Sequence, residues 1–344
     1  MLTAPPQPVV LATSADSYLV APAAGRRITA WLEFPAARAV TPDASARRRA
    51  NRLVVADRGG RRSHVVYDGG CSATQPCDTV AAPLAGSDAV LYAVAESRHT
   101  DLAASTLQIR PARLVTQFRA SKVLPPYALA GPDAVWYAAG RVRARPPDIR
   151  TPARTLVAAP AGGTVRAVVR REPVTAWLAR NSAGQDGVYE QIDGGRPATL
   201  YRETRAGAHL TSLAMLDGGR VAVVALRRSA TSRTASVLLV TPRQPEPQLL
   251  VTSAPSPLTL AYDPVISAFG QRVAFRRRAG SARGLTDQIV VLDVLRGTTR
   301  VVTSARLRST RVSDPSLGFG RVVWSSAQVA GARLVRSRVL ATPA

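Results

Sequence analysis

One short unit recurs along the chain, and it restricts the fold more than any other feature. The unit is a turn, usually marked by Gly, followed by an apolar strand with a large residue near its centre. It reads Gly25-Arg26-Arg27-Ile28-Thr29-Ala30-Trp31, then Gly86-Ser87-Asp88-Ala89-Val90-Leu91-Tyr92, then Gly131-Pro132-Asp133-Ala134-Val135-Trp136-Tyr137. It returns as Val174-Thr175-Ala176-Trp177, Gly219-Arg220-Val221-Ala222-Val223-Val224, Gly270-Gln271-Arg272-Val273-Ala274-Phe275 and Gly320-Arg321-Val322-Val323-Trp324. With Trp31, Tyr92, Tyr137, Trp177, Val224, Phe275 and Trp324 as anchors, the spacings are 61, 45, 40, 47, 51 and 49 residues. That period holds four short strands and their turns, the length of a propeller blade.

The segments between anchors fit the same unit. After Trp177 come Val188-Tyr189-Glu190-Gln191-Ile192 and Thr199-Leu200-Tyr201, joined through Asp193-Gly194-Gly195. After Phe275 come Ile289-Val290-Val291-Leu292 and Arg300-Val301-Val302, joined through Asp293 and Gly297. Asp and Gly at such joints are hairpin chemistry. The anchor strand is continuously apolar from Val221 to Leu226, as a strand packed on both faces must be. The run Thr299-Arg300-Val301-Val302-Thr303 alternates, as an outer strand with one wet face does. The seventh unit is one strand short, ending on Leu334-Val335-Arg336-Ser337-Arg338-Val339, while Pro8-Val9-Val10-Leu11-Ala12 is a spare strand ahead of the first. Pairing the two closes the ring and hides an open edge. The expectation is an all-β chain forming one β-propeller over residues 1–344. Seven blades are preferred, with six the alternative, and an N-terminal strand completes the blade of Trp324.

The chain resembles the TolB-like group of β-propeller repeat proteins. The resemblance lies in the Gly-x-Arg-Val-x-Phe or Trp turns at Gly270–Phe275 and Gly320–Trp324, and in the Val-x-Asp-x-x-x-Gly turn from Val291 to Gly297. It is diffuse and spans the whole chain. The Ser-Pro-Asp-Gly turn of that group is replaced by partial echoes, Gly131-Pro132-Asp133 and Leu216-Asp217-Gly218. It implies a fold and names no activity.

Composition bears on surface chemistry. Lys and Arg number 46 against 22 Asp and Glu, a formal charge of +24, and Lys122 is the sole lysine. One reading is a surface that grips anions, since guanidinium binds carboxylate and phosphate bidentately. The other is a coding bias that enriches Arg, Ala, Pro, Gly and Val together. Arg47, Arg48 and Arg49, Arg141, Arg143 and Arg145, Arg227 and Arg228, and Arg276, Arg277 and Arg278 are expected in loops after the anchor strands. In a propeller those loops share one face, which makes these residues the candidate anion-binding set. They carry few stacking aromatics, so nucleic acid is disfavoured; the partner is left open between an acidic protein or other anionic polymer and no specific anion role at all.

Cys71 and Cys77 bracket a short polar segment and are read as a local disulfide. That implies an oxidising compartment. The expected location is therefore extracytoplasmic, secreted or periplasmic, with any signal peptide already absent; a cytoplasmic location is the alternative. No stretch of 18 apolar residues offers a transmembrane helix.

No catalytic motif is found. His64, His99 and His209 lie in different units with no second ligand at metal spacing. There is no His-Glu-x-x-His, Gly-x-Ser-x-Gly or P-loop. No metal or cofactor is expected. Two Asp-Pro turns place Asp263 and Asp314 just ahead of inner strands. They are candidates for the channel mouth, or simply carboxylates that tie down strand starts. The leading expectation is a non-enzymatic binding or scaffold propeller. The rival is a lyase, lactonase or glycosidase using channel carboxylates.

Overall fold

The computed structural model describes residues 7–36, 52–69, 79–95, 99–106, 113–119, 124–147, 150–158, 160–244, 246–260, 262–281, 284–331 and 333–344. Among them the strands form seven antiparallel sheets, and none of these residues is α-helical. Each sheet is one blade, and in all but the last the strands run in chain order from the channel outwards. Blade 4 shows the plan: Thr164–Arg171 innermost, then Val174–Arg180, Asp186–Ile192 and Ala198–Arg202 at the rim. The blade alternative of six is thereby excluded.

The repeat works because each second strand buries the same position. Its fourth residue is Trp31, Tyr92, Trp136, Trp177, Val224, Phe275 or Trp324, and every one is at most 3% exposed. In blade 3 the anchor is Trp136 and not the neighbouring Tyr137, which is only half-buried. Side chains alternate along a strand, so that one-residue slip would present the wrong face. Trp177 shows how the position is held. Its indole Nε1 donates to the Ala161 carbonyl at 2.9 Å, and its ring stacks on Tyr189 with centroids 5.9 Å apart.

There is no single core. Among the described residues the buried apolar side chains fall into seven clusters, one at each junction between neighbouring blades. The second strands therefore read as continuous apolar runs, since both of their faces meet another blade. Serines stitch successive inner strands around part of the channel. Ser212 Oγ accepts from the Ile266 amide at 3.1 Å, Ser267 Oγ from Leu317 at 3.0 Å, and Ser316 Oγ from Ala24 at 2.9 Å.

The ring closes as expected. Val9–Ser14 runs antiparallel to Arg333–Pro343, pairing Val9 with Ala341 and Val10 with Leu340, and so becomes the rim strand of blade 7. A buried hydrogen bond from the Leu19 amide to Ser337 Oγ, 3.0 Å, ties blade 1 to that blade. Strand alternation gives the disc two faces. The first-to-second and third-to-fourth connections lie on one, here the turn face. The second-to-third and blade-to-blade connections lie on the other, the loop face.

Candidate functional site

Three of the expected loop arginines are on the loop face and exposed. Arg141 opens the third strand of blade 3, and Arg227 and Arg228 end the second strand of blade 5. Among the described residues none of the three has a carboxylate partner. Arg143 and Arg145 belong to the strand Arg141–Arg145 and are half-buried. The Arg145 guanidinium lies 5.7 Å from the Trp136 ring centroid and donates to the carbonyls of Thr151, at 3.3 Å, and Val115. Arg47, Arg48 and Arg49 lie outside the described residues, as do Cys71 and Cys77.

The loop placement of Arg276, Arg277 and Arg278 is corrected by the structure. All three are inside the ten-residue strand Arg272–Ser281, with Arg278 only 1% exposed. Arg278 Nε donates to Asp287 Oδ1 at 2.9 Å, its guanidinium lies 4.5 Å from the Tyr262 ring centroid, and Nη1 donates to Ser256 Oγ. Asp287 is itself 1% exposed. Arg276 bridges blades 6 and 7, with Nη1 3.4 Å from Asp287 Oδ2 and Nε 3.1 Å from Asp314 Oδ1. Burial works against the Arg276 charge, but the carboxylates of Asp314 and Asp287 outweigh it and hold its pKa above the usual guanidinium value. Arg277 is half-buried and binds Gln288 Oε1 through Nε at 3.2 Å. The strand outruns its apolar stretch because each arginine finds a carboxylate, an amide or an aromatic face there.

Blade 4 repeats this pairing. Arg180, three residues after the anchor Trp177, donates through Nε to Asp186 Oδ1 at 2.7 Å and through Nη2 to Oδ2 at 2.9 Å. Arg278 stands at the same offset from Phe275. Asp186 also accepts the Leu210 amide of blade 5 at 2.9 Å and lies 3.4 Å from Arg166 Nη1. Burial would raise the Asp186 pKa, but Arg180, the Leu210 amide and Arg166 together hold it below the usual carboxylate value. The shared signal in the sequence was an Arg three residues past the anchor and an Asp two residues ahead of the next apolar run.

The two Asp-Pro carboxylates have different settings. Asp314 is 8% exposed and engaged by Arg276, so it joins two blades. Asp263 is exposed in the connection that enters blade 6. Among the described residues no three His, Cys, Asp or Glu side chains gather as a metal site would require. His99 Nε2 lies 3.5 Å from Asp101, and His209 Nδ1 lies 3.2 Å from Arg180 Nη2. Among the described residues no helix is long and apolar enough to cross a membrane.

Comparison with known proteins shows the fold. The chain is similar to the β-propeller domain of the Trilobed protease from Pyrococcus furiosus, at 9% identity over 95% of both chains with a TM-score of 0.54. It is similar to oligogalacturonate lyase in complex with manganese, at 13% identity over 99% of both chains and a TM-score of 0.51. TolB from Acinetobacter baumannii is also similar, at 14% identity over 82% of this chain and a TM-score of 0.49; the chain spans only 62% of that protein. No family model matches the sequence, and no curated protein matches it. The likeness to these propeller proteins is thus one of fold alone.

Proposed function

We propose that this is a non-catalytic binding propeller whose loop face recognises an acidic partner, an anionic polymer or an acidic protein. The observation that carries this is the unbalanced charge. Cations outnumber carboxylates 46 to 22, and Asp186, Asp287 and Asp314 are already occupied by buried or half-buried arginines. The exposed Arg141, Arg227 and Arg228 keep their full charge for a partner, and their fields add above one face. Reading the protein as exported rests on the close pair Cys71 and Cys77. A native, unreduced sample with no titratable thiol supports that location, and two reactive thiols count against it.

The experiment is retention of the full chain on heparin and on polyglutamate across a salt series. Binding should be strong at low salt and fall steeply, because it is driven by release of counterions. Arg141→Ser/Arg227→Ser/Arg228→Ser should weaken retention and flatten the salt slope without altering the unfolding midpoint, since solvated charges contribute little to stability. The proposal fails if substituting the turn-face residues Arg196, Arg243 and Arg296 weakens retention equally.

A further inference from the structure

A second basic feature lies on the opposite, turn face, at the seam where blade 7 meets blade 1. Arg26, Arg27, Asp57, Arg58, Gly59 and Arg61 line one depression of about 440 Å³. Four guanidiniums face a single carboxylate in this group. Asp57 is also engaged locally, its Oδ1 accepting the Arg61 amide at 2.8 Å. Arg27 has a loose partner in Asp88, 3.6 Å away, with both side chains well exposed. Among the described residues Arg26, Arg58 and Arg61 have no carboxylate partner.

A buried cation lies behind this depression. Arg321, the first residue of the second strand of blade 7, is 5% exposed and has no carboxylate partner among the described residues. Its guanidinium donates to the carbonyls of Arg58 at 2.7 Å, Ile28 at 2.7 Å and Gly25 at 3.2 Å, and to Thr29 Oγ1 at 2.6 Å; Nε has no acceptor. By contrast Arg278, the other fully buried arginine named above, is paired with Asp287. Burial, reinforced by the Arg58 charge, brings the Arg321 pKa down to about 10, so it stays charged at neutral pH without a counterion.

Arg321 also orients the turn. It holds the carbonyl of the Arg58–Gly59 peptide. In a trans peptide the N–H points opposite to the carbonyl, so the Gly59 N–H faces away from Arg321. That donor sits on a residue lining the depression and is turned away from Arg321, and amide donors beside surrounding positive charge are the combination that oxyanions select.

We propose that this depression binds a small, multiply charged tetrahedral oxyanion, a phosphorylated or sulfated group, for which Arg58, Arg61, Arg26 and the Gly59 amide are the direct ligands and Arg321 the buried counter-charge. The site also bears on ring closure. Gly60 packs against the closing strand so closely that a Cβ there would lie 2.3 Å from the Leu11 carbonyl oxygen. An anion held by Arg58 and Arg61 therefore ties a blade 1 turn that touches blade 7 through both Arg321 and the N-terminal strand, and should stabilise the closed ring. This site does not depend on the loop-face reading, because it uses other residues on the other face.

Calorimetric titration of the full chain with inorganic pyrophosphate, with sulfate as a second arm, tests it, alongside amide chemical shifts on 15N-labelled protein. The expected result is saturable one-to-one binding, movement of the Gly59 amide resonance, and a raised unfolding temperature. Binding of pyrophosphate alone assigns a phosphorylated ligand, and binding of both assigns any dianionic oxyanion. Arg58→Ser/Arg61→Ser, exposed and without a structural partner, should weaken binding by about tenfold or more, as loss of charge-assisted hydrogen bonds requires. Arg196→Ser/Arg296→Ser, exposed in the turns of blades 4 and 6, should leave it unchanged. The proposal is overturned if both pairs weaken binding equally, if the Gly59 resonance does not move at saturation, or if no saturable binding occurs.

Discussion

Replacing Arg278 with Met separates two accounts of the arginine run at 276–278. If these residues were solvated loop charges, the substitution would cost almost nothing. The structure instead puts Arg278 at 1% exposure, paired with an equally buried Asp287 at 2.9 Å and stacked over Tyr262 at 4.5 Å. Breaking a buried pair from one side costs about 3–5 kcal/mol, because the remaining charge is stranded. The lower end applies here, since Arg276 Nη1 still reaches Asp287 Oδ2 at 3.4 Å. The expected loss is therefore about 3 kcal/mol. With a urea m-value of about 3 kcal/mol/M, this lowers the unfolding midpoint by about 1 M. The assay is equilibrium urea unfolding followed by tryptophan fluorescence. Adding Asp287→Asn should cost less than the two single losses summed, by about 0.5–3 kcal/mol, because the residues share one network. A midpoint within about 0.2 M of wild type, or no different from that of the exposed Arg228→Ser, would refute the buried network.

Three further outcomes follow from the same geometry. The Asp186 pKa is depressed in the folded state, so its contribution to stability is full above the unfolded carboxylate pKa, about 3.9, and is lost as pH falls through the lower folded value. Urea midpoints of wild type should drop on acidification below about pH 4, and Asp186→Asn should be destabilised at neutral pH and show a shallower drop. Ser267→Ala removes an acceptor for the Leu317 amide between two inner strands and should cost about 1 kcal/mol in urea unfolding, with no change in far-ultraviolet circular dichroism. Gly60→Ala combines a φ of +75° with a clash against the Leu11 backbone and should cost about 2 kcal/mol or more, whereas Gly194→Ala, at the same φ but in open space, should cost about 1 kcal/mol; thermal melts compare the two.

The repeat was legible because every second strand must bury a large residue at one register against both neighbours. Blade 3 slipped by one because Trp136 and Tyr137 are adjacent and both large, and only strand pairing tells which faces the junction. The fourth-strand closure was legible as one strand missing and one to spare. The arginine runs were misread for a physical reason. A long aliphatic stem lets Arg continue a strand past its apolar stretch if a partner waits across the sheet or on the next blade. Asp287 is nine residues from Arg278, and Asp314 is 38 from Arg276, so those partners belong to the register and the ring and not to the local pattern. The turn-face depression was equally hidden, since Arg321 and Arg58 are 263 residues apart and meet only through closure.

Ring closure is the claim on which the seam, the seven-blade count and the oxyanion site all depend. Cross-strand cysteines test it directly. Val10 and Leu340 are register partners, and paired antiparallel positions bring Cα atoms within the roughly 4.4–6.8 Å a disulfide needs. Mass mapping of oxidised Val10→Cys/Leu340→Cys should find the bridged peptide and a raised unfolding temperature, while Val10→Cys/Val335→Cys should not bridge. Equal bridging by both pairs, or none by the first, would contradict a ring closed by the N-terminal strand.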